Sequence, residues 1–317
     1  MSVQREPLPS AGIRRKGSHT GFHFFNLHQN CARKFFIMHM ARIVPAFTAP
    51  PLIFGGAFHE GKAVFYTTKS MRKALAYVRK DIALRRKEYE YDDAYEAALY
   101  RCPILLEHWI DKHGESDLRV YKIIAVEHEI RMKVPGTEGF IVTMRPDAVV
   151  QHKKSGEYYI METKTSSFSI SLTADGVYLG DQATQYTWGV QEKMKLPVSG
   201  VIPDIAYWNK NSVKEENISC VRSDIVYRTK HDVDEYKRSV ALILNEIAQK
   251  AAAFRTGKYE PTDLFPRNTY YCNAYMKPCE FANICRGGIT MKGRAPEGFK
   301  REAGRRPLIT DYVEAEG

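Results

Sequence analysis

The spacing of apolar positions changes along the chain, and each change marks a new structural element. Over residues 26–42 apolar and aromatic residues recur at helical spacing, which predicts a helix carrying Cys31, with Phe35, Phe36 and Met40 in a core. Residues 66–113 are rich in Ala, Arg, Lys, Glu and Tyr and read as helices with charged outer faces. From Arg119 the period falls to two. Strands are expected over 120–134, 139–150 and 158–164, with Glu127 and Glu129 on the first. A Ser- and Gly-containing connection, 166–180, leads into a helix in which Gln182 and Tyr186 share a face at i, i+4, with Gln185 one position off it. Two further strands are expected over 198–209 and 218–228, then an amphipathic helix over 231–256. Three strands, a helix and more strands, with helices before and after, predict an α/β fold with a mixed central sheet flanked by helices.

Within that pattern, 143–166 is the stretch on which the chemistry centres. Two β-branched and aromatic runs flank Lys153-Lys154-Ser155-Gly156-Glu157 and predict an antiparallel hairpin. A turn symmetric about Lys154 and Ser155 places Asp147 opposite Glu162. Such partners have Cβ atoms about 4.5–5.5 Å apart, where like charges repel. A divalent cation between them turns that repulsion into a binding site, and oxygen ligands suit Mg²⁺ or Mn²⁺. Lys164, two residues beyond Glu162, falls on the same face. Asp147, Glu162 and Lys164 together point to metal-assisted hydrolysis, and the plain alternative is a solvated surface ion triplet.

Composition narrows the setting. The chain has 317 residues, with 47 Lys and Arg against 37 Asp and Glu and a formal charge of +10. That balance favours a polyanionic partner such as nucleic acid. No apolar run approaches the ~18–20 residues of a membrane span, and the first residues lack the apolar region of a signal peptide. The expectation is a soluble, intracellular, cytoplasmic protein with no membrane partner. Its six cysteines are then not a disulfide framework.

The glycines before His59 raise a second chemistry and dismiss it. Gly56 to Lys62 matches most of a phosphate-binding loop, but Ala63 stands where Ser or Thr would hold Mg²⁺, and only Ala49-Pro50-Pro51 precedes it in place of a strand. No nucleotide site is expected there. His59 is expected to enter a long helix just after glycines that permit close backbone approach. Towards the C-terminus, Cys272, Cys279 and Cys285 lie within fourteen residues of one another. Three thiols in an intracellular chain suggest a metal site, with Cys31 as the fourth ligand. Zinc and an iron–sulfur cluster both accept thiolates, and this spacing is wider than the usual zinc knuckle.

Taken together, Gly56-x-x-His59, Pro146-Asp147, Glu162-Thr163-Lys164, Gln182-x3-Tyr186 and the set Cys31, Cys272, Cys279 and Cys285 resemble the PD-(D/E)XK nuclease superfamily. Within it they are most similar to RecB-like exonucleases with an iron–sulfur cluster, the AddB-type and CRISPR-associated nucleases. The motifs stand in the family's order and span most of the chain. One departure is Met144-Arg145-Pro146-Asp147, where these relatives more often have Gly-Arg-x-Asp.

The resemblance implies a restriction-endonuclease-like core over 119–230. Around it would lie a disordered basic arm over 1–22, an N-terminal helical region over 23–118 carrying Cys31 and His59, a C-terminal helix and iron–sulfur segment over 231–286, and a flexible tail over 287–317. It implies His59, Asp147, Glu162 and the Thr163 carbonyl as metal ligands, Lys164 positioning or deprotonating the attacking water or stabilising charge on the phosphorane-like transition state, and Gln182 and Tyr186 orienting lysine and DNA. It also implies Mg²⁺ or Mn²⁺, a 4Fe-4S cluster on the four cysteines, and single- or double-stranded DNA ends as substrate in recombination, repair or phage DNA processing. A helicase or recombination partner would be a separate chain. The alternatives are an endonuclease of the same fold and a non-catalytic nucleic-acid-binding module.

Overall fold

The computed structural model describes residues 21–209, 217–289 and 293–302. The expected basic arm and most of the expected tail lie outside the described residues. The chain begins with α1 (Phe22–Asn30), α2 (Ala32–Phe35) and the short strand β1 (Ile43–Pro45), followed by α3 (Pro50–Thr68), α4 (Met71–Leu84), α5 (Asp92–Trp109) and α6 (Glu115–Val120). Five strands follow, β2 (Tyr121–Val126), β3 (Ile130–Lys133), β4 (Ile141–Met144), β5 (Ala148–His152) and β6 (Tyr158–Ser166), then α7 (Ile170–Leu179) and α8 (Asp181–Gly189). The last elements are β7 (Val198–Trp208), β8 (Ile218–Arg222), α9 (Lys230–Arg255), α10 (Pro261–Leu264), α11 (Ala282–Gly287) and β9 (Phe299–Arg301).

The main sheet has the order β2-β5-β6-β7-β8. The β6–β7 pair is parallel and the other neighbours antiparallel. It is a mixed sheet flanked by helices, behind an N-terminal helical region. Alternation along β6 sorts its two faces. Ile160 joins a core with Trp188, Tyr236 and Leu244 of α8 and α9. Met161 joins a second core with Phe58, Val78 and Leu106 of α3, α4 and α5. The β5–β6 register pairs Ala148 with Met161 and Val150 with Tyr159, as a symmetric turn predicts.

Several expected elements are interrupted, and the breaks have physical causes. The strand expected over 120–134 stops at Glu127, whose φ of 48° is left-handed and turns the chain out of the main sheet. Glu127 and Glu129 therefore lie between β2 and β3. The strand expected over 139–150 breaks at Arg145-Pro146-Asp147, where Pro146 has no N–H to give to a ladder. Strands β3 and β4 then form a ribbon of their own. Cys31 is extended and caps α2 by accepting from the Lys34 N–H at 3.5 Å, so the helix expected over 26–42 is split there. His59 lies midway along α3, which Pro50 and Pro51 begin, a first-turn position that proline tolerates. The expected connection over 166–180 contains α7. Residues 299–301, expected in a flexible tail, pair with β1 as β9. Among the described residues no helix is long and apolar enough to cross a membrane.

Candidate active site

Three elements and two breaks in the sheet bring the expected residues together. Helix α3 lies close on β6, where a Cβ on Gly55 would meet the Thr165 hydroxyl at 3.1 Å. That approach carries His59, one turn further on, to the start of β5. His59 Nδ1 is 2.9 Å from Asp147 Oδ1 and 3.9 Å from Glu127 Oε1. Ligand atoms of His59, Glu127 and Asp147 all lie within 4.8 Å of one another. The other Asp147 oxygen, Oδ2, accepts the Thr163 backbone N–H at 2.6 Å. Glu127 reaches this group because its left-handed backbone turns the chain at the edge of the sheet.

On the neighbouring strand, Lys164 Nζ lies 2.6 Å from Glu162 Oε1 and donates to Gln182 Oε1 at 2.7 Å. Gln182 Nε2 in turn donates to the Tyr186 hydroxyl at 2.9 Å. The i, i+4 face expected of Gln182 and Tyr186 thus forms a relay ending on Lys164. Gln185, one position off it, accepts from the Tyr236 hydroxyl at 3.1 Å in the core. Glu162 is 2% exposed, and its Oε2 is buried with no hydrogen-bond partner.

The titration shifts follow from this crowding. Burial by itself would lower His59, but the charge and hydrogen bond of Asp147, with the charge of Glu127, outweigh it and raise the imidazole above its ordinary value. For Asp147 burial pushes upward, and His59, then Lys62 and the Thr163 N–H, hold the carboxyl below its ordinary range. Glu162 is raised because burial, reinforced by Asp147, exceeds the attraction of Lys164. Lys164 is raised because Glu162 outweighs its own burial. Both partners are thus raised, and the 2.6 Å contact with Glu162 is what favours the ammonium of Lys164. Tyr186 is raised by burial and by Glu162, so its hydroxyl stays protonated.

The donor set fits a hard cation. Glu127, Asp147 and His59 form one compact ligand group, and Glu162, paired with Lys164, lies close enough for its charge and that of Asp147 to act on each other. The imidazole between Asp147 and Glu127 provides the cluster's other proton site. A divalent ion supplies the missing positive charge and a partner for Glu162 Oε2.

A second charged cluster behind the sheet escaped the sequence reading. Lys62, three residues beyond His59, is 4% exposed and reaches Thr163 Oγ1 and Asp204 Oδ2, both at 2.5 Å. Its ammonium sits 4.0 Å from the Trp109 ring, whose Nε1 donates to Asp204 at 2.9 Å. Arg222 binds Asp117 through two contacts of 2.6 Å, and the Tyr66 hydroxyl donates to Asp117 at 2.7 Å. The signal was a charge set within each of two largely apolar runs, Lys62 in α3 and Asp204 in β7.

The cysteine expectation concerned Cys31, Cys272, Cys279 and Cys285. All four are half-buried free thiols. The Arg33 backbone N–H donates to the Pro266 carbonyl at 3.1 Å and its side chain to the Phe265 carbonyl at 2.6 Å, which brings the start of α2 against the C-terminal segment. The Cys279 N–H donates to the Cys272 carbonyl at 2.8 Å. Burial raises Cys285 first, with contributions from the Cys31 and Cys272 thiols, and Cys279 is raised by burial with a contribution from Cys31. Among the described residues these sulfurs do not form a compact single-ion site. Cys102 and Cys220 are buried elsewhere, as packing residues.

No protein family matches the chain, and no curated protein matches it by sequence. Among solved structures, that of SSO0001 is similar at 12% identity and a TM-score of 0.31, over 84% of this chain and 96% of that one. LHK-Exo in complex with dAMP is similar at 15% identity and a TM-score of 0.28, over 65% of this chain and 96% of that one. Likeness at this level leaves the function to be argued from the geometry of the site.

Proposed function

We propose that this protein is a divalent-metal-dependent nuclease that hydrolyses phosphodiester bonds at DNA ends, with the PD-(D/E)XK site of RecB-like exonucleases. The observation that carries the reading is the ligand group: His59, Glu127 and Asp147 offer atoms within 4.8 Å of one another, and beside them Glu162 Oε2 is left buried without a partner. Residues 119–230 are the nuclease core in this reading, and α3 lends it His59. His59, Glu127, Asp147 and Glu162 would hold Mg²⁺ or Mn²⁺, with the Thr163 carbonyl as a further ligand. Such an ion neutralises the scissile phosphate and acidifies an attacking water.

The remaining steps belong to side chains. Lys164, held beside Glu162, would stabilise charge building on the phosphate or position the attacking water. Glu162 and Gln182 fix its direction from two sides. Tyr186 fixes Gln182 and so positions the lysine at one remove.

The cysteines fit a structural role. Four half-buried thiols, two of them joined through their backbones, suit an iron–sulfur cluster, which spreads its thiolates more widely than a single ion does. The cluster would fasten α2 to the C-terminal segment, far along the chain, where an unclipped loop costs several kcal/mol of chain entropy. Purified protein should then be brown, with iron and acid-labile sulfide in similar amounts. Cys279→Ser should bleach it and lower its thermal stability, while Asp147→Asn leaves the colour intact. Colourless protein with stoichiometric zinc would replace the cluster by zinc and keep the fastening.

The test of the activity is digestion of end-labelled single- and double-stranded DNA with Mg²⁺ or Mn²⁺ and with chelator. Nucleotide release that needs the metal and free ends supports the exonuclease. Nicking of closed circular plasmid would make it an endonuclease. Absence of cleavage on every substrate, with tight DNA binding, would make it a binding module.

A further inference from the structure

A groove of about 1030 Å³ runs along β3, beside the turn that closes α8. Strand β3 alternates buried Ile130 and Met132 with exposed Arg131 and Lys133, so both cations project from one face. Across from them stand exposed Lys193 and Lys195, the latter at a left-handed φ of 57° that ends the helix. Two acids also line the groove, and both are engaged elsewhere. Glu129 is paired with Arg145 at 3.0 Å. Glu192 accepts from the Trp188 indole at 2.6 Å and lies 3.1 Å from Lys237 Nζ. The groove therefore presents a positive field.

Its position gives that field a use. Glu129 follows Glu127 of the candidate metal cluster by two residues, and the first residue of β3, Ile130, pairs with Met144, three before Asp147. The groove's lining thus begins one residue along the chain from Glu127, at His128, and continues away from it along β3. The four residues of β3 span about 13 Å. A strand of that length faces a short run of phosphates, with two cations on each side of the groove to meet them.

We propose that this groove is the track for the phosphate backbone of the nucleic-acid strand being cut, with Arg131, Lys133, Lys193 and Lys195 as its contacts. The inference rests on the nuclease reading. Contacts of this kind carry no base sequence, so binding along the track is sequence-independent and salt-sensitive.

The experiment compares two variants with the same change in charge. One replaces Arg131, Lys133, Lys193 and Lys195 by Gln. The other replaces Arg72, Lys73, Arg79 and Lys80, exposed on α4, by Gln. Affinity for a labelled oligothymidylate and for a blunt duplex is measured in chelator between about 50 and 200 mM salt. The groove variant should lose about 3 from the slope of log affinity against log salt on the single strand, from ~0.7 per phosphate contact, and the α4 variant less than about 1. If the fourfold variant folds poorly, the pairs Arg131/Lys133 and Lys193/Lys195 should each lose about half. An unchanged slope in the groove variants, or an equal loss in the α4 variant, overturns the track. The arm with the larger loss tells whether the bound strand is single or paired. The nuclease reading is judged separately, by whether the unsubstituted protein hydrolyses a small phosphodiester with Mn²⁺.

Discussion

Two buried charge clusters meet at β6, one on each side of Thr163, and they are built differently. Behind the sheet, Lys62 and Arg222 face Asp204 and Asp117, two cations for two acids. Each acid there receives hydrogen bonds as well, from Trp109 or Tyr66. At the front, Glu127 and Asp147 converge on His59, Glu162 meets Lys164, and Glu162 Oε2 has no partner. Burial costs an unpaired charge several kcal/mol, so a cluster that lacks a counter-charge needs something else to complete it. The comparison separates a network that supports the fold from one arranged for a cation. Thr163 joins the two, its side chain accepting from Lys62 and its backbone N–H donating to Asp147.

The largest effect expected is on the rear cluster. Lys62→Met removes the ammonium and leaves Asp204 buried with Trp109 and a 3.6 Å ion pair to Arg222. Breaking a buried pair in this way costs about 3–5 kcal/mol, and urea unfolding should read about 3, since part of the network survives. Wild-type stability in this variant would remove the distinction between the two clusters. Next comes Lys164→Ala, which should slow DNA cleavage by about 10²-fold or more and change DNA affinity little, because one cation of many is lost. Equal rates for variant and wild type would leave Lys164 a surface charge.

At the front the stability effect should be smaller. Asp147→Asn relieves the repulsion among the carboxylates but gives up the attraction of His59 and Lys62 that holds its carboxyl below the ordinary range, so metal-free stability should fall by only about 1–2 kcal/mol. Activity should collapse at any practical Mg²⁺ concentration. A loss of several kcal/mol would show that the front is also a structural network.

The smallest effect is on pH dependence. Burial pushes Asp204 upward, yet Lys62 and Arg222 outweigh it and hold the carboxyl below its ordinary 3.8. Because the folded value is the lower one, its contribution to stability is complete above the ordinary value and is lost as pH falls through the depressed one. Metal-free protein should therefore weaken below about pH 4, and Lys62→Met should shrink that fall. An identical acid profile for the two proteins would remove Lys62 as the counter-ion.

The sequence exposed the two kinds of feature unequally. The hairpin register was legible because side-chain alternation and a short polar turn fix it within one stretch of chain. The faces of β6 and the Gln182–Tyr186 pair were legible for the same reason, since each follows from a local period. Glu127 could not be placed, because its orientation depends on a left-handed residue that the periodic pattern hides. Lys62 and Asp204 lie in separate apolar runs, and nothing local says that two such charges meet. The break at Cys31 was missed because the residues on both sides keep helical spacing. Local periods thus revealed the strand that carries Glu162 and Lys164, while the tertiary pairing that supports it came only with the fold.

The central claim, that the front cluster is completed by a divalent cation, is tested most directly by titrating Mn²⁺ into wild-type, Asp147→Asn and Lys164→Ala proteins and following free ion by electron paramagnetic resonance. Wild type should bind saturably. Lys164→Ala should bind at least as well, since it removes a competing cation. Asp147→Asn should lose at least about 10-fold in affinity, as expected when a ligand is more costly to lose than its supporting partners. No saturable binding by the wild type, or equal binding by wild type and Asp147→Asn, would contradict the claim.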